Sequence, residues 1–214
     1  MFSRRRMLLG CITLGAALAL CVGIQALFGW GRAQLDTGAA LSADTLRLHI
    51  RAASDTIADQ TDKLAVRDAL LAYLDAHCTA STQPEARAPE ARAWAAAHLP
   101  DLQLAAAGAL ARRGSFAPVR VQLVEMYFDT TRYPTGVLPA GRYQAVRIDL
   151  GAAPYGRNWW CVLYPGLCRS ACGGYAAPAE NDLVCGQYVL RFKCVETWQR
   201  WTASRRDKIL IGSR

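Results

Sequence analysis

Histidine is scarce in this chain, which has only His49, His77 and His98. Nucleophilic catalysis of the Ser-His-Asp or Cys-His kind needs one of them oriented by a carboxylate beside a nucleophile. The chain has no Gly-x-Ser-x-Gly elbow to present a serine, and no glycine-rich loop to cradle phosphate. His77, next to Cys78 at the end of a helical stretch, reads as a cation near a helix C-terminus. His49, flanked by arginines on a strand, reads as solvated. Lysine is scarce too, 3 against 22 arginines. The net charge of +8 includes Arg4, Arg5 and Arg6, so the rest carries +5, spread along the chain. A nucleic-acid surface needs basic residues gathered on one face with aromatic platforms, so that class is excluded. No cofactor, metal or small-molecule substrate is expected.

Charge is missing altogether from Met7 to Phe28, MLLGCITLGAALALCVGIQALF, a run of 22 residues preceded by Arg4-Arg5-Arg6. Basic residues before an apolar run stay on the cytoplasmic side, so the remainder of the chain is expected to be exported. Residues 1–29 are either a retained transmembrane anchor or a cleaved signal. Gly31-Arg32-Ala33 supplies small residues for cleavage, but the run is longer than the apolar core of a typical signal peptide. Residues 30–44, small and polar, read as an irregular tether, and 45–214 as the exported domain with a cysteine-rich C-terminal part.

Export changes how cysteine is read, because thiols outside the cytosol oxidise. Cys11 and Cys21 lie in the apolar run. The remaining six, Cys78, Cys161, Cys168, Cys172, Cys185 and Cys194, are disulfide candidates whose pairing the sequence leaves open. A four-thiolate zinc site needs two closely spaced pairs, and only Cys168 and Cys172 form one.

Leu46, Leu48, Ile50 and Ala52 alternate with Arg47, His49 and Arg51, the period of a strand with one buried and one charged face. Ser54, Asp55 and Thr56 then offer capping side chains, and the stripe Val66, Ala69, Leu70, Tyr73, Leu74 predicts a helix over 56–77. Gln83–Pro89 reads as a loop. A second helical region follows, a short piece near Trp94 and a longer one from Asp101 to Arg113, closed by Gly114. Strands are expected at Val119–Leu123 and Val146–Leu150, as antiparallel neighbours joined by the turn-rich TTRYPTGVLPAG of residues 130–141. Val189–Trp201 is a strand, a helix or each in turn, with Trp198 and Trp201 at helical spacing. The sum is an α+β fold, a small and mainly antiparallel sheet with helices on one face, behind an N-terminal transmembrane or signal segment.

Leu35-Asp36-Thr37-Gly38-Ala39 matches the active-site signature of aspartic proteases, and Ile209-Leu210-Ile211-Gly212 imitates their second motif. That chemistry needs two aspartates sharing a proton, each in a loop after a folded strand pair. Here only the apolar run precedes Asp36, so the motif reads as a coincidence. An aspartic protease using Asp36 and a structural cell-envelope domain remain the alternative functions.

Three segments are distinctive: LRLHIRAASDTIADQTDKLAVRDALLAYL, MYFDTTRYPTGVLPAGRYQAVRIDLG and GRNWWCVLYPGLC. Their order and character, above all Leu138-Pro139-Ala140-Gly141 with Tyr143 and Asn158-Trp159-Trp160-Cys161, resemble the stage II sporulation protein R family over roughly residues 45 to 195. Gly166 stands where the family leads us to expect a second proline, and Cys172, Cys185 and Cys194 are extra. The resemblance implies a non-enzymatic messenger exported across the forespore membrane into the space between the forespore and mother-cell membranes. There it would activate a membrane-embedded aspartic protease, the sigma-E processing peptidase, which processes the pro-form of sigma factor E. Membrane contact is expected through residues 7–28. The expected partner-binding residues are Tyr133, Leu138, Pro139 and Gly141 of the turn-rich loop, and Asn158, Trp159, Trp160 and Tyr164. Pro165-Gly166 reads as a type II turn that brings Cys161 and Cys168 together.

Overall fold

A computed structural model describes residues 4–78, 88–133, 136–165, 174–175, 177–185, 197–198 and 200–202. It divides into two units, Met1–Thr37 and Gly38–Arg214.

The first unit is helical. Helix α1, Arg4–Ala43, contains the uncharged run, and its apolar side chains are exposed, from Met7 at 66% to Phe28 at 72%. At 1.5 Å per residue the run measures about 33 Å, enough for a hydrocarbon core of about 30 Å. Length and composition thus suit a membrane span or a secretion signal. The residues expected to form an irregular tether are helical instead. Ala33, Leu35, Ala39, Ala40 and Leu41 favour helix strongly enough to offset Gly31 and Gly38. Thr37 and Ser42 donate back to the carbonyls of Ala33 and Ala39, both at 2.8 Å, rather than competing with the helix.

In the second unit, the chain after α1 forms β1 (Leu46–Arg51), α2 (Ile57–His77), α3 (Ala88–Ala97), α4 (Leu99–Ala111), β2 (Val119–Phe128), β3 (Thr131–Tyr133), β4 (Gly136–Leu138), β5 (Gly141–Leu150), β6 (Asn158–Tyr164) and α5 (Pro178–Cys185). The main sheet has the order β2-β5-β1-β6. Among the described residues only the central β1–β5 pair is parallel; β2–β5 and β1–β6 are antiparallel. The loop between β2 and β5 is ordered as expected, and folds into the separate hairpin β3–β4.

Helix starts and stops follow local chemistry. Thr56 caps α2, its Oγ1 accepting the Asp59 N–H at 3.3 Å. Gly114, with φ of 75°, turns the chain out of α4, and the Ser115 N–H reaches back to the Leu110 carbonyl at 3.0 Å. Helix α3 starts at Ala88 with Pro89 in its first turn, so the expected loop is shorter at that end. The other expected loop residues, 83–87, lie outside the described residues.

One face of the sheet carries the main core. Leu46, Leu48, Ile50, Val121, Val146, Ile148, Leu150, Cys161 and Leu163 meet Val66, Leu70 and Leu74 of α2, the alanines of α3, and Leu102, Ala106, Ala109 and Leu110 of α4. Each enclosed leucine contributes about 2 kcal/mol of hydrophobic stabilisation. The three alanines of α3 and two of α4 let those helices approach closely. Cys78 closes α2, its N–H on the Leu74 carbonyl at 2.8 Å, and its thiol is buried in this core. It packs there as a small apolar side chain inside the helix layer. Cys161 lies on β6 and Cys185 ends α5; Cys168, Cys172 and Cys194, and with them the expected Pro165-Gly166 clasp, lie outside the described residues.

The opposite face is not simply solvated. A second cluster of Leu41, Phe128, Leu138, Tyr143, Ala145, Val162, Tyr175 and Val184 covers one half of it. The hairpin and α5 supply the cover and pack tightly on each other: a Cβ on Gly136 would lie 2.6 Å from the Val184 carbonyl oxygen.

Candidate interaction face

Strand alternation puts Arg47, His49 and Arg51 of β1 on this second face, beside Ala145, Arg147 and Asp149 of β5 and Val162, Trp160 and Asn158 of β6. The β2 residues in the same rows are Val124, Gln122 and Arg120. The face divides along its length. The row through Arg47 is apolar and covered; the rows through His49 and Arg51 are polar and end on Trp160 and Asn158, both exposed.

Arg47 corrects the reading of β1 as a strand with a charged outer face. It is wholly buried, and its guanidinium lies over the Phe128 ring. Its Nη2 donates to the Tyr133 hydroxyl at 2.9 Å and to Thr131 Oγ1 at 3.4 Å. Burial lowers the pKa of the guanidinium, while the Tyr133 and Tyr143 oxygens oppose that shift. Tyr143 in turn donates to the Pro139 carbonyl at 2.7 Å, so the hairpin is tied to the sheet at both ends.

His49 is also buried rather than solvated, 3% exposed, between the edge of Phe128 (centroids 5.9 Å apart) and Trp160 (6.2 Å). Burial, reinforced by the positive charge of Arg51, lowers its pKa to about 4, while a hydrogen bond with the Asn158 side chain works the other way. The imidazole is therefore neutral at pH 7. Beside it Asp149, nearly buried, holds Arg51 at 2.6 Å and Arg147 at 3.2 Å. One carboxylate between two guanidiniums leaves this half of the face net positive.

The two tryptophans part company, as adjacent residues on a strand must. Trp159 packs against the helix-side core with Arg67 of α2 over its ring at 5.6 Å. Trp160 points to the other face and is 40% exposed. The β5–β6 connection fixes where this pair begins: the Gly156 N–H bonds the Ala52 carbonyl at 3.1 Å, and Lys63 holds the Arg157 carbonyl at 3.0 Å.

The expected partner-binding residues thus fall into three groups. Asn158 and Trp160 are exposed and adjacent. Tyr133, Pro139, Gly141 and Trp159 are partly buried, the first three around the hairpin and Trp159 on the helix side. Leu138 and Tyr164 are buried, in different cores. Arg47, His49 and Asp149 were missed as constituents of this face; the only sequence signal for them was the strict alternation of β1 with β5.

Other candidates sit apart. Asp36 is exposed within α1, not in a loop after paired strands. His77 stacks on Tyr73 at 4.2 Å and His98 on Trp94 at 4.2 Å, each ring Nδ1 near the carbonyl one turn back. Among the described residues no group of His, Cys, Asp and Glu is placed to hold a metal ion. A cleft of about 420 Å³ is lined by Ser42, Ala43, Arg92, Glu125, Arg142 and Gln144; Arg92 caps the end of α1 through the Ala43 carbonyl, and Arg142 pairs with Glu125 at 2.5 Å.

Comparison with known proteins gives one family. The model described as stage II sporulation protein R matches residues 42–172, which include every strand among the described residues. A curated relative, stage II sporulation protein R of Bacillus subtilis (strain 168), is 36% identical over 123 residues, covering 58% of this chain and 53% of the relative. The match therefore spans about half the relative's length. No solved structure matches the chain.

Proposed function

Because the chain belongs to the stage II sporulation protein R family, and so has a role in sporulation, we propose that it is an exported messenger that activates a membrane-embedded aspartic protease. That protease, the sigma-E processing peptidase, then processes the pro-form of sigma factor E. The messenger is delivered across the forespore membrane into the space facing the mother cell. The apolar stretch of α1 supports membrane insertion or secretion. The observation that carries the contact face is Trp160, 40% exposed beside Asn158 at the polar end of the sheet. Tryptophan is enriched among residues that dominate binding energy. Here its ring stands next to a buried neutral imidazole, a site that a partner can dehydrate at little cost. The cysteine-rich C-terminal part is, in this reading, stapled by disulfides formed after export. Intact mass before and after reduction and alkylation counts the thiols.

The test is co-expression of the full chain with the peptidase and the pro-sigma factor, following loss of the pro-sequence by gel mobility. The wild-type chain is expected to produce processing, and Trp160→Ala to reduce it at least tenfold without loss of the folded domain. No processing with the wild-type chain sinks the activator reading and favours a structural role in the envelope. Full processing with Trp160→Ala sinks only the contact face. Asp36→Asn is expected to leave processing intact; its loss would revive a protease centred on Asp36.

A further inference from the structure

The polar half of the second sheet face holds two rows of side chains, read from β2 across to β6: Gln122, Arg147, His49 and Trp160, then Arg120, Asp149, Arg51 and Asn158. With His49 neutral, three arginines stand against one aspartate. Asp149 occupies only one edge of each neighbour. It pairs with Arg51 Nε at 2.6 Å and Arg147 Nε at 3.2 Å, and Arg147 Nη2 donates to Gln122 Oε1 at 2.9 Å. Among the described residues nothing accepts a hydrogen bond from either Nη of Arg51 or from Nη1 of Arg147, whose side chains are 32% and 28% exposed. Arg120, at the outer end of its row, is exposed and pairs with no carboxylate among the described residues. Donor edges of three guanidiniums are thus unspent in the two rows that end on Trp160 and Asn158.

A guanidinium matches a carboxylate through two parallel N–H donors, and an indole nearby supplies apolar surface that keeps water off the pair. Three strand spacings separate the ends of each row, about 14 Å, which is the reach of about four extended residues. The occupant is therefore a short segment. An anionic membrane is met by unbroken clusters of about four to eight basic residues, and nucleic acid by a basic stripe. Here Asp149 stands among the three arginines and repels a continuous row of phosphates, whereas separate carboxylates on a peptide can lie to either side of it. We propose that this patch receives a short acidic segment of a protein partner, its carboxylates on Arg51, Arg147 and Arg120 and a neighbouring side chain over Trp160. Which protein carries that segment rests on the activator reading above; the chemistry of the patch does not.

The probe is a blocked pentapeptide of alternating glutamate and alanine, with its glutamine–alanine counterpart as the control. Each is titrated into the full chain in neutral detergent, and binding is followed by the shift of the Trp160 indole N–H resonance, assigned by its loss in Trp160→Phe. The glutamate peptide is expected to bind at least about tenfold more tightly than the control, and Arg120→Glu, at an exposed site outside both cores, to weaken it about tenfold. Equal binding of the two peptides overturns the proposal, as does an Arg120→Glu chain that binds like the wild type. A five-nucleotide oligothymidylate that binds more tightly than the glutamate peptide also overturns it, making the patch a phosphate site. In co-expression, Arg120→Glu is expected to cut pro-sigma processing about tenfold as well. Peptide discrimination without processing by the wild-type chain upholds the patch and sinks the activator reading. Processing by the wild-type chain without peptide discrimination sinks the patch and leaves that reading standing.

Discussion

The guanidinium carbon of Arg47 lies 3.9 Å from the centre of the Phe128 ring, so a wholly buried cation rests on an aromatic face. Among the described residues it makes no carboxylate ion pair, and its Nε and Nη1 find no hydrogen-bond acceptor. Stacking and the Tyr133 bond offset part of its desolvation. The residue therefore organises the hairpin more than it stabilises the domain.

That division can be measured by urea unfolding in detergent. Arg47→Met keeps most of the volume and removes a costly charge, so it should change stability by no more than about 1 kcal/mol. Arg47→Ala leaves a cavity and should cost about 2–4 kcal/mol. Both should speed amide exchange in residues 131–133, which lose their anchor. Equal destabilisation by Met and Ala would show that the charge itself holds the core.

His49 makes stability depend on pH. Its folded pKa, about 4, lies below the ordinary 6.5, so the unfolded chain binds the extra proton between those values. Stability is complete above pH 6.5 and declines as pH falls towards 4, by roughly 3 kcal/mol at most. Below pH 4 this contribution changes no further. Unfolding at a series of pH values should show the slope in the wild type and lose it in His49→Gln.

Two glycines should respond in opposite senses to alanine. A Cβ on Gly156 would sit 2.2 Å from the Ser54 carbonyl oxygen and 2.5 Å from its carbon. Backbone cannot yield as a side-chain tip can, so Gly156→Ala should cost about 2–4 kcal/mol and disturb the start of β6. In Gly108, within α4, a Cβ meets only the tip of Arg112 at 3.5 Å. Gly108→Ala should add about 0.5–1 kcal/mol through helix propensity. Melting temperatures of the two variants, compared with the wild type, check both signs.

Trp159 and Trp160 should separate by solvent access. Replacing Trp160 by phenylalanine should remove an acrylamide-accessible emission component with little effect on the unfolding midpoint. Trp159→Ala should lower the midpoint, at a cost of about 2 kcal/mol or more, because it empties space against the helix-side core. A Trp160 already shielded from quencher would remove it from the contact face.

Much of the helix-bearing half was legible because its signals are local. The alternation of Leu46, Leu48 and Ile50, the capping chemistry of Ser54 to Thr56, and the Gly114 stop each act within a few residues. The second face was not legible for the converse reason. Its cover is assembled from Leu41, Leu138, Tyr175 and Val184, which are distant in sequence, so nothing near Arg47 or His49 announced that they would be enclosed. Helical continuity through residues 30–43 was missed because polar and small residues suggested a linker, while alanine content and back-bonding hydroxyls decide the outcome. For the candidate face, the aromatic stretch was visible, but only strand parity assigns Trp159 and Trp160 to different sides.

The parallel pairing of β1 bears on the order in which the sheet can be completed. Leu48 is flanked by Val146 on one side and Cys161 on the other, partners that lie about a hundred residues further along. The strand nearest the apolar helix is therefore among the first of its sheet to be synthesised, and both its neighbours come late. A chain interrupted before β6 leaves this strand bare along at least one edge, and before β5 along both. Truncated copies cannot present Trp160 on a finished surface, so the architecture itself separates a complete chain from a partial one.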